Sequence, residues 1–276
     1  YTWTATDDLS GVRGFYIYFG PDPNGTVATI YETTGFVAGS TWTPGAVTDG
    51  QYYLRVRAED WAGNQTAWVT MHQYWVDGTL PVLSAATEQN GMPDGAWSNL
   101  SADPVYTWDA ADNLSGVRGF YIYFGTDPHG TNTTMETTTG YPIESPWTSG
   151  PISDGQYYLR VSAEDWAGNQ TAWTHLHQYW YDGTPPDVSG HLPNHESTGW
   201  FRSPTELTVS GRDNIGIQSL EIDIGDGKGW VLSNQVVLPD GEWTVGYRAT
   251  DLAGNVSTAS QVVKVDTTQP ESKFRL

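Results

Sequence analysis

The residues in this sequence whose types and spacing could do chemistry are aspartates and asparagines placed in turns. The sequence Asp-Trp-Ala-Gly-Asn stands at 60–64 and 165–169, and a related Asp-Leu-Ala-Gly-Asn stands at 251–255. Other acidic turns begin at Asp112 and at Asp213. Carboxylate and amide oxygens of this kind suit Ca²⁺, which takes about six to eight oxygen ligands in flexible geometry. No single turn holds enough oxygens, so a site must combine several turns.

A third set of aspartates opens short segments that contain proline. These are Asp-Gly-Thr-Leu-Pro at 77–81, Asp-Gly-Thr-Pro-Pro at 182–186 and Asp-Thr-Thr-Gln-Pro at 266–270. Proline fixes φ and removes a hydrogen-bond donor, so such segments are stiff connections and not flexible tethers. They predict short joints between neighbouring domains.

The elements that carry these turns are repeated along the chain. Residues 7–20 recur almost unchanged at 112–125, and 51–64 recur at 156–169 with one substitution, at a constant spacing of 105 residues. A shorter third unit of 84 residues separates Asp182 from Asp266. The spacing predicts three domains with bounds 1–78, 79–183 and 184–267, followed by a terminal strand at 268–276.

Each unit has the pattern of a small all-β domain. Leu159, Val161 and Ala163 alternate with polar residues, which indicates a strand with one buried face. In the second unit the pattern predicts strands at 82–87, 105–109, 117–125, 156–164 and 170–181, with a long loop at 88–103. No stretch has the period of a helix. The fold class is therefore predicted to be all-β, with three tandem β-sandwich domains in a rod.

The second unit resembles a fibronectin type III domain in Trp108, in the Tyr-Ile-Tyr sequence at 121–123 and in the sequence at 157–163. The Asp-x-Ala-Gly-Asn turn is similar to that of bacterial surface Ig-like repeats. The resemblance covers all three units, most weakly the third. It implies Ig-like or fibronectin III-like sandwiches, with a tyrosine corner formed by Tyr52, by Tyr157 or by a neighbouring tyrosine.

In a sandwich of this type the acidic turns lie at the end where the preceding domain enters. We therefore expect one oxygen-rich group at each of two joints. The first comprises Asp77, Asp112, Asp165 and Asn169, and the second comprises Asp182, Asp213, Asp251 and Asn255. The arrangement resembles cadherin joints, although the cadherin motifs are absent. Two interpretations stay open: the carboxylates bind Ca²⁺, or they only cap their own turns.

Composition excludes several functions. The chain has 12 Lys and Arg against 32 Asp and Glu, for a formal charge of −20, which argues against nucleic acid and anionic membranes as partners. It has no cysteine, so neither disulfides nor thiolate chemistry are available. Motifs of hydrolases and phosphate-binding loops are missing, which predicts that the chain is not an enzyme.

His175 and His177, two apart on a predicted strand, should share one face, but no third zinc ligand accompanies them.

Both ends of the chain are informative. Tyr1 aligns with Tyr106, so the first unit has no counterpart of the strand that opens the second, and the last residues alternate as a new strand would. One interpretation is a fragment cut at both ends. The other is strand donation, in which Ser272, Phe274 and Leu276 of one molecule complete the first unit of the next.

The sequence thus predicts a secreted or surface-anchored structural protein, a stalk or a fibre subunit whose partners are neighbouring domains or copies. The alternative is carbohydrate binding, as an adhesin or as an accessory module of a glycan-degrading enzyme. Trp61 and Trp166 stand in turns and could stack on the sugar rings of surface glycans, although most such tryptophans pack against protein.

Overall fold

The described residues form strands and turns only. A computed structural model describes residues 1–32, 42–137, 146–193 and 199–273, and within these ranges it contains no helix. The sheets fall into three groups, one for each predicted repeat. The predicted all-β fold class is confirmed. None of the described residues forms a helix long and apolar enough to cross a membrane.

The first repeat is built on one antiparallel sheet with the strand order β2-β1-β3-β4. Its strands are β1 (Val12–Gly20), β2 (Ile30–Glu32), β3 (Gly50–Asp60) and β4 (Val69–Val76). Tyr1 and Trp42 exchange backbone hydrogen bonds of 2.8 and 3.0 Å, which closes the other side of the small core. That core contains Phe15, Ile17, Leu54 and Val56.

The second repeat repeats this sheet and adds strands that cover it. Its strands are β5 (Val82–Leu83), β6 (Thr87–Glu88), β7 (Trp97–Ser98), β8 (Val105–Thr107), β9 (Ala110–Ala111), β10 (Val117–Gly125), β11 (Met135–Thr137), β12 (Trp147–Thr148), β13 (Gly155–Asp165) and β14 (Thr174–Tyr181). The larger sheet has the order β11-β10-β13-β14-β7, and the smaller sheet has the order β12-β8-β6. Strand β5 pairs separately with β9.

The third repeat has the same two-layer plan with a shorter chain. Its strands are β15 (Asp187–His191), β16 (Trp200–Phe201), β17 (Thr205–Arg212), β18 (Ile217–Asp223), β19 (Val231–Leu232), β20 (Gln235–Leu238), β21 (Gly241–Asp251) and β22 (Val256–Val265). One sheet has the order β15-β17-β20 and the other has the order β16-β22-β21-β18-β19.

Strand β13 shows why the alternating pattern predicts the core. Leu159, Val161 and Ala163 are fully buried, as the alternation requires. From the facing layer, Trp108 packs edge-on to Phe120 with ring centroids 5.9 Å apart. Aromatic rings thus fill the space between the two sheets, and the core needs no disulfide.

The predicted tyrosine corner is present in both long repeats. Tyr157 Oη donates to the carbonyl of Ser153 at 3.1 Å, and Tyr52 Oη donates to the carbonyl of Thr48 at 2.9 Å. The third repeat uses an indole at the same place, where Trp243 Nε1 donates to the Pro239 carbonyl at 2.9 Å. The bond holds the start of the strand against the chain that precedes it.

We expect Tyr157→Phe to lower the free energy of unfolding of the second repeat by roughly 0.5–1.5 kcal/mol, the net value of one hydrogen bond. The ring would keep its stacking on Phe124, at 5.3 Å between centroids, so packing should not change. Urea unfolding of the full chain measures the difference. No measurable loss would show that the bond to the Ser153 carbonyl does not stabilise the repeat.

The segment predicted as a loop at 88–103 covers the edge of the large sheet. Strand β7 pairs with β14 in parallel register, and Met92 is buried in the core. Tyr179 on β14 is fully buried beneath this cover, whereas its counterpart Tyr74 on β4 is 39% exposed. In the first repeat the face of β4 therefore stays open to solvent.

Strand β14 also differs from its prediction. It begins at Thr174 and not at residue 170. A register shift between Leu159 and Arg160 lies opposite the histidine pair. His177 is buried while His175 is exposed, and the prediction that they share one face was wrong.

Candidate metal centre at the joints between repeats

The turn that ends β13 fixes the position of the Asp165 carboxylate. Asp165 Oδ1 accepts from the backbone N–H of Asn169 at 2.8 Å, and Oδ2 accepts from the Asn169 side-chain amide at 2.8 Å. Gly168 has φ of 94°, a left-handed conformation that favours glycine. The third repeat repeats the turn, with Asn255 N–H donating to Asp251 Oδ1 at 2.9 Å. Both carboxylates are fully buried.

The second acidic turn uses only one carboxylate oxygen to cap itself. Asp112 Oδ2 accepts from the backbone N–H groups of Leu114 at 3.0 Å and Gly116 at 2.8 Å. In the third repeat Asp213 Oδ2 accepts from Ile215 N–H at 2.8 Å. Turn capping, the simpler interpretation of these residues, is therefore observed, and it leaves Oδ1 of each aspartate for other contacts.

Each linker is held near the turns by a hydrogen-bond clamp, an aspartate that bonds the two residues after the linker aspartate. The sequence analysis did not predict this clamp. Asp49 Oδ1 accepts from Gly78 N–H at 2.9 Å, and the other oxygen of Asp49 bonds the Thr79 hydroxyl. Asp154 makes the same bonds to Gly183 and Thr184. The signal was available, because Asp49 and Asp154 each stand 28 residues before the linker aspartate of their joint.

The structure brings two triads of carboxylates together, one at each joint. The ligand atoms of Asp77, Asp112 and Asp165 lie within 4.8 Å of one another, and so do those of Asp182, Asp213 and Asp251. Calcium–oxygen distances are about 2.3–2.6 Å, so two ligands of one ion are at most about 4.6–5.2 Å apart. Each triad thus has the size of a calcium coordination sphere.

Each triad contains a buried oxygen that no donor among the described residues reaches. These atoms are Asp112 Oδ1 in the first joint and Asp182 Oδ2 in the second. Asp182 is fully buried, and burial raises the pKa of its carboxyl above the ordinary value, with the nearby Asp154 and Asp213 charges adding to the rise. An orphaned, buried carboxylate oxygen is costly, and a cation bound to it would remove that cost.

The two joints differ in the residue that contacts the linker aspartate. Ser115 donates its backbone N–H to Asp77 Oδ2 at 2.9 Å, and the Ser115 hydroxyl and backbone together lower the pKa of Asp77. The corresponding turn of the third repeat is one residue shorter. There Asn214 donates its side-chain amide to Asp182 Oδ1 at 3.1 Å, and Oδ2 is left without a donor.

Asn169 and Asn255 were predicted as metal ligands. In the structure their side-chain amides donate hydrogen bonds to the backbone of the linker. Asn169 Nδ2 donates to the Asp77 carbonyl at 3.0 Å as well as to Asp165. Asn255 Nδ2 donates to the Asp182 carbonyl at 2.9 Å, and Asn255 Oδ1 accepts from Asn99 at 2.8 Å. Both asparagines thus tie the linker to the turn that carries the buried carboxylate.

We expect Asn255→Ala to lower the free energy of unfolding of the third repeat by roughly 1–3 kcal/mol, because several bonds to partly buried groups are lost together. Asn64 is the matched control, since it makes the same bonds to Asp60 in the first repeat. Among the described residues, the bond that Asn64→Ala removes is the one from the amide to Asp60 Oδ2, so this substitution should cost less. Differential scanning calorimetry of both variants measures this, and equal losses would show that bracing the linker contributes nothing.

Other predicted site residues lie away from the triads. Trp61 and Trp166 are 55% and 66% exposed, and the guanidinium groups of Arg13 and Arg118 lie 5.9 and 5.8 Å from their ring centroids. Ser272, predicted for assembly, is exposed. Phe274 and Leu276, predicted with it, lie outside the described residues.

Comparison with known families and proteins agrees with the fold. The model of a bacterial Ig-like domain matches residues 22–78 and 208–267. Exoglucanase B of Cellulomonas fimi is 26% identical over 98% of this chain, and Chitinase A1 of Niallia circulans is 30% identical over 62% of it. The chain spans 24% and 22%, respectively, of the lengths of these two relatives.

The solved structures that align with this chain do so with low TM-scores. The fibronectin(III)-like modules of Clostridium thermocellum CbhA give a TM-score of 0.34 at 14% identity, covering 69% of this chain and all of that one. A structure concerning host cell surface retention of a 1.5-MDa bacterial ice-binding adhesin gives 0.35 at 18% identity, covering 94% of this chain and 90% of that one.

Proposed function

From the match of residues 22–78 and 208–267 to the model of a bacterial Ig-like domain, we propose that this chain is a non-catalytic, extracellular spacer whose two joints are stiffened by bound Ca²⁺. Its relatives by sequence carry the names of glycan-degrading enzymes, and the chain matches about a quarter of each. We place it beside the catalytic or binding parts of a secreted or surface-held protein of that kind. Its role there is to hold those parts at a set distance.

The main observation in support of the proposal is that each triad contains residues of two neighbouring repeats. Asp77 follows the last strand of the first repeat, while Asp112 and Asp165 belong to the second. One cation bound to all three would connect the domains directly. Without it, three carboxylates within 4.8 Å repel each other, which favours opening of the joint.

The triad of the second joint also contains residues of two repeats, and it is more buried. Asp182 ends the second repeat, and Asp213 and Asp251 belong to the third. Only Asp213 of the three is partly exposed. Ca²⁺ is a hard cation that prefers oxygen ligands, and the three carboxylates of the triad supply oxygen ligands only.

The test is the spread of distances across each joint. The chain lacks cysteine, so exposed positions can be converted to cysteine and spin-labelled in pairs. Thr26→Cys with Thr131→Cys spans the first joint, and Thr131→Cys with Thr258→Cys spans the second. We expect pulsed electron paramagnetic resonance to show a narrow distance distribution in Ca²⁺ and a broader one in excess EDTA.

Matched variants assign the effect to the triads. Asp112→Asn should abolish the response of the first joint only, and Asp213→Asn that of the second only. Asp7→Asn, which changes the same turn in the first repeat, should leave both joints responsive. Distributions of equal width in Ca²⁺ and EDTA for the parent protein would refute the proposal.

Glycan binding is the second candidate function, and the exposure of Trp61 and Trp166 favours it. Each indole lies near an arginine, an arrangement that holds a flat ring in place and leaves much of it exposed to solvent. The relatives' names suggest glucan or chitin as the ligand class. A spacer and a weak sugar contact are compatible in one chain.

Tryptophan fluorescence separates the two functions. Under the glycan proposal, cello- or chito-oligosaccharides should change the emission of the parent chain, and Trp61→Ala with Trp166→Ala should abolish the change. Trp75→Ala is a suitable control, because Trp75 is 69% exposed but lies in strand β4 and not in a turn. A spacer without sugar binding gives no change with any of the oligosaccharides.

A further inference from the structure

The outer face of the first sheet gathers the positive charge of its repeat. Arg55 and Arg57 alternate with the buried residues of β3, so they lie on the face that points away from the core. Arg13 joins them from β1, where its guanidinium lies 2.6 Å from Glu59 Oε1. These three are the only Lys or Arg residues in 1–78, whereas the whole chain carries a net charge of −20. A cationic surface in so acidic a chain favours an anionic ligand.

Aromatic rings lie beside these arginines. The Arg57 guanidinium is 4.4 Å from the ring centroid of Tyr16 and 5.1 Å from that of Trp68, and the Arg55 guanidinium is 5.8 Å from the same indole. Through Glu59, which accepts from the Tyr16 hydroxyl at 2.8 Å, the contacts continue to the turn that ends β3. This surface, the arginine face, consists of Arg13, Tyr16, Arg55, Arg57, Trp61 and Trp68.

Arg57 is the member of the arginine face whose charge has no counterpart. Arg13 is paired with Glu59, and Arg55 donates to the Gly25 carbonyl at 2.9 Å. Among the described residues, Arg57 has neither an ion-pair partner nor a hydrogen-bond acceptor, and its Nε is buried without one. A buried donor without an acceptor is costly, so an acceptor supplied by a ligand would stabilise this side chain.

The equivalent position is closed in the other two repeats. It lies three residues before the aspartate that ends β3, β13 and β21. In the second repeat it is Ser162, which is fully buried and donates to the Thr171 carbonyl at 2.8 Å. In the third repeat it is Arg248, whose guanidinium bonds both oxygens of Glu221, at 2.7 and 3.1 Å. Arg57 thus differs from both equivalents in keeping its donors available.

Neighbouring repeats do not cover a face of this kind. The second repeat has a repeat on either side, and its Trp166 is nonetheless as exposed as Trp61 of the first. Arg118, which lies near Trp166, is likewise partly exposed, as is Arg13. The arginine face therefore lies open to a ligand in solution.

We propose that the arginine face of the first repeat binds a glycan that carries carboxylates, such as a chain of uronic acids. A ligand carboxylate accepts from the Arg57 guanidinium, whose planar fork of donors matches it, and a neighbouring sugar ring stacks on Trp61. The inference rests on glycan binding, the second candidate function, and adds the class of the glycan.

The aromatic surroundings favour a sugar acid over other anions. An exposed indole suits a ligand with a flat apolar face, which a pyranose ring has and a phosphate lacks. Glu59 offers no free carboxylate oxygen to compete with the ligand, since it accepts from Arg13, Tyr16 and Gln65. The other acidic residues repel an anion over longer distances, and salt at about 0.15 M screens charges more than about 8 Å apart.

Isothermal titration calorimetry of the full chain with a galacturonic acid tetramer tests the proposal. Excess EDTA keeps Ca²⁺ away from the triads and from the ligand, and about 0.15 M salt screens the net charge. We expect one binding site per chain. Arg57→Ser, which copies the residue of the second repeat, should weaken binding about tenfold or more, because a hydrogen bond to a charged group is lost. The methyl-esterified tetramer, which has the same rings without the charge, should bind as weakly to the parent chain.

Two further variants serve as matched controls. Ser162→Arg should create a second site, because residues 156–169 otherwise repeat 51–64, and Tyr121 and Trp173 stand where Tyr16 and Trp68 do. The number of tetramers bound per chain should therefore rise from one to two. Arg248→Ser removes the same charge from the chain and should leave the affinity unchanged. Near-ultraviolet circular dichroism checks that each variant is folded.

The outcomes that overturn the proposal are distinct from those that concern the proposed function. No binding of the charged tetramer, equal affinity in Arg57→Ser, or equal affinity for the esterified tetramer would each overturn it. A glutamate peptide that binds as tightly through Arg57 would assign the face to acidic peptides instead of glycans. If neutral oligosaccharides change the emission of Trp61 while the charged tetramer does not bind, glycan binding stands and this inference fails.

Discussion

Tyr179→Ala is expected to destabilise the second repeat by roughly 3–5 kcal/mol, the cost of removing a large aromatic ring from a core. Tyr179 on β14 is fully buried beneath the segment that precedes β8, and its hydroxyl donates to the Ser101 carbonyl at 2.8 Å. Its ring packs edge-on to Tyr106 at 6.1 Å between centroids. The substitution removes all of these contacts at once.

Tyr74→Ala is the matched control for this prediction. Tyr74 occupies the same position in the first repeat and is 39% exposed, so the truncation should cost clearly less than half as much. Thermal unfolding monitored by near-ultraviolet circular dichroism compares the two. Equal losses would mean that the covering segment with Met92 and Trp97 contributes little to burial.

The second large effect is expected from calcium. Calcium at 100 times its dissociation constant should stabilise a repeat that binds it only when folded by about 2.7 kcal/mol. The unfolding transitions that involve the joints should therefore move to higher temperature in Ca²⁺ than in excess EDTA.

Asp182→Asn should abolish the response of the second joint without lowering the melting temperature in EDTA. The reason is that this carboxylate is buried, its Oδ2 has no donor, and its pKa is raised by burial. An uncharged amide is easier to bury than such a charge. A residue with a merely structural role would lower stability in EDTA as well.

Asp266→Asn is the control for Asp182→Asn, since Asp266 follows the third repeat in the same way but joins no triad of described residues. Dilute protein should be used, so that association between copies does not contribute. If the melting temperature is the same in Ca²⁺ and EDTA, the aspartates of the joints only cap turns.

Much of this architecture was predictable because the chain repeats itself. The constant spacing of 105 residues shows that the first two units share a backbone, and the alternation at Leu159, Val161 and Ala163 identifies the buried face. The positions of Asp77, Asp112 and Asp165 could be predicted to converge because the end of a sandwich at which these turns lie follows from the fold.

What could not be predicted depends on contacts between residues distant in sequence. The cover at 88–103 has no alternating pattern, and its strand β7 pairs with β14, about 80 residues later. Gln178 N–H, for example, donates to Asp94 Oδ1 at 2.7 Å. The bulge that separates His175 from His177 likewise depends on register with β13, which local sequence does not encode.

The clamp aspartates were missed for a different reason. Asp49, Asp154 and Asp240 stand before a glycine at the start of a strand and look like ordinary turn residues. Their role emerges only when the following linker returns to them about 28 residues later and places its N–H and hydroxyl groups on one carboxylate. The one available clue was the spacing between the clamp aspartate and the linker aspartate, which is 28 residues in the first two repeats and 26 in the third.

The most direct test of the central claim is the number of Ca²⁺ ions bound per chain, measured by equilibrium dialysis of dilute protein. The two triads predict two bound ions in the parent chain, one in Asp112→Asn, one in Asp213→Asn, and none in the double variant. Asp7→Asn should still bind two. A parent chain that binds none, or a double variant that binds as many as the parent, would contradict calcium-stiffened joints.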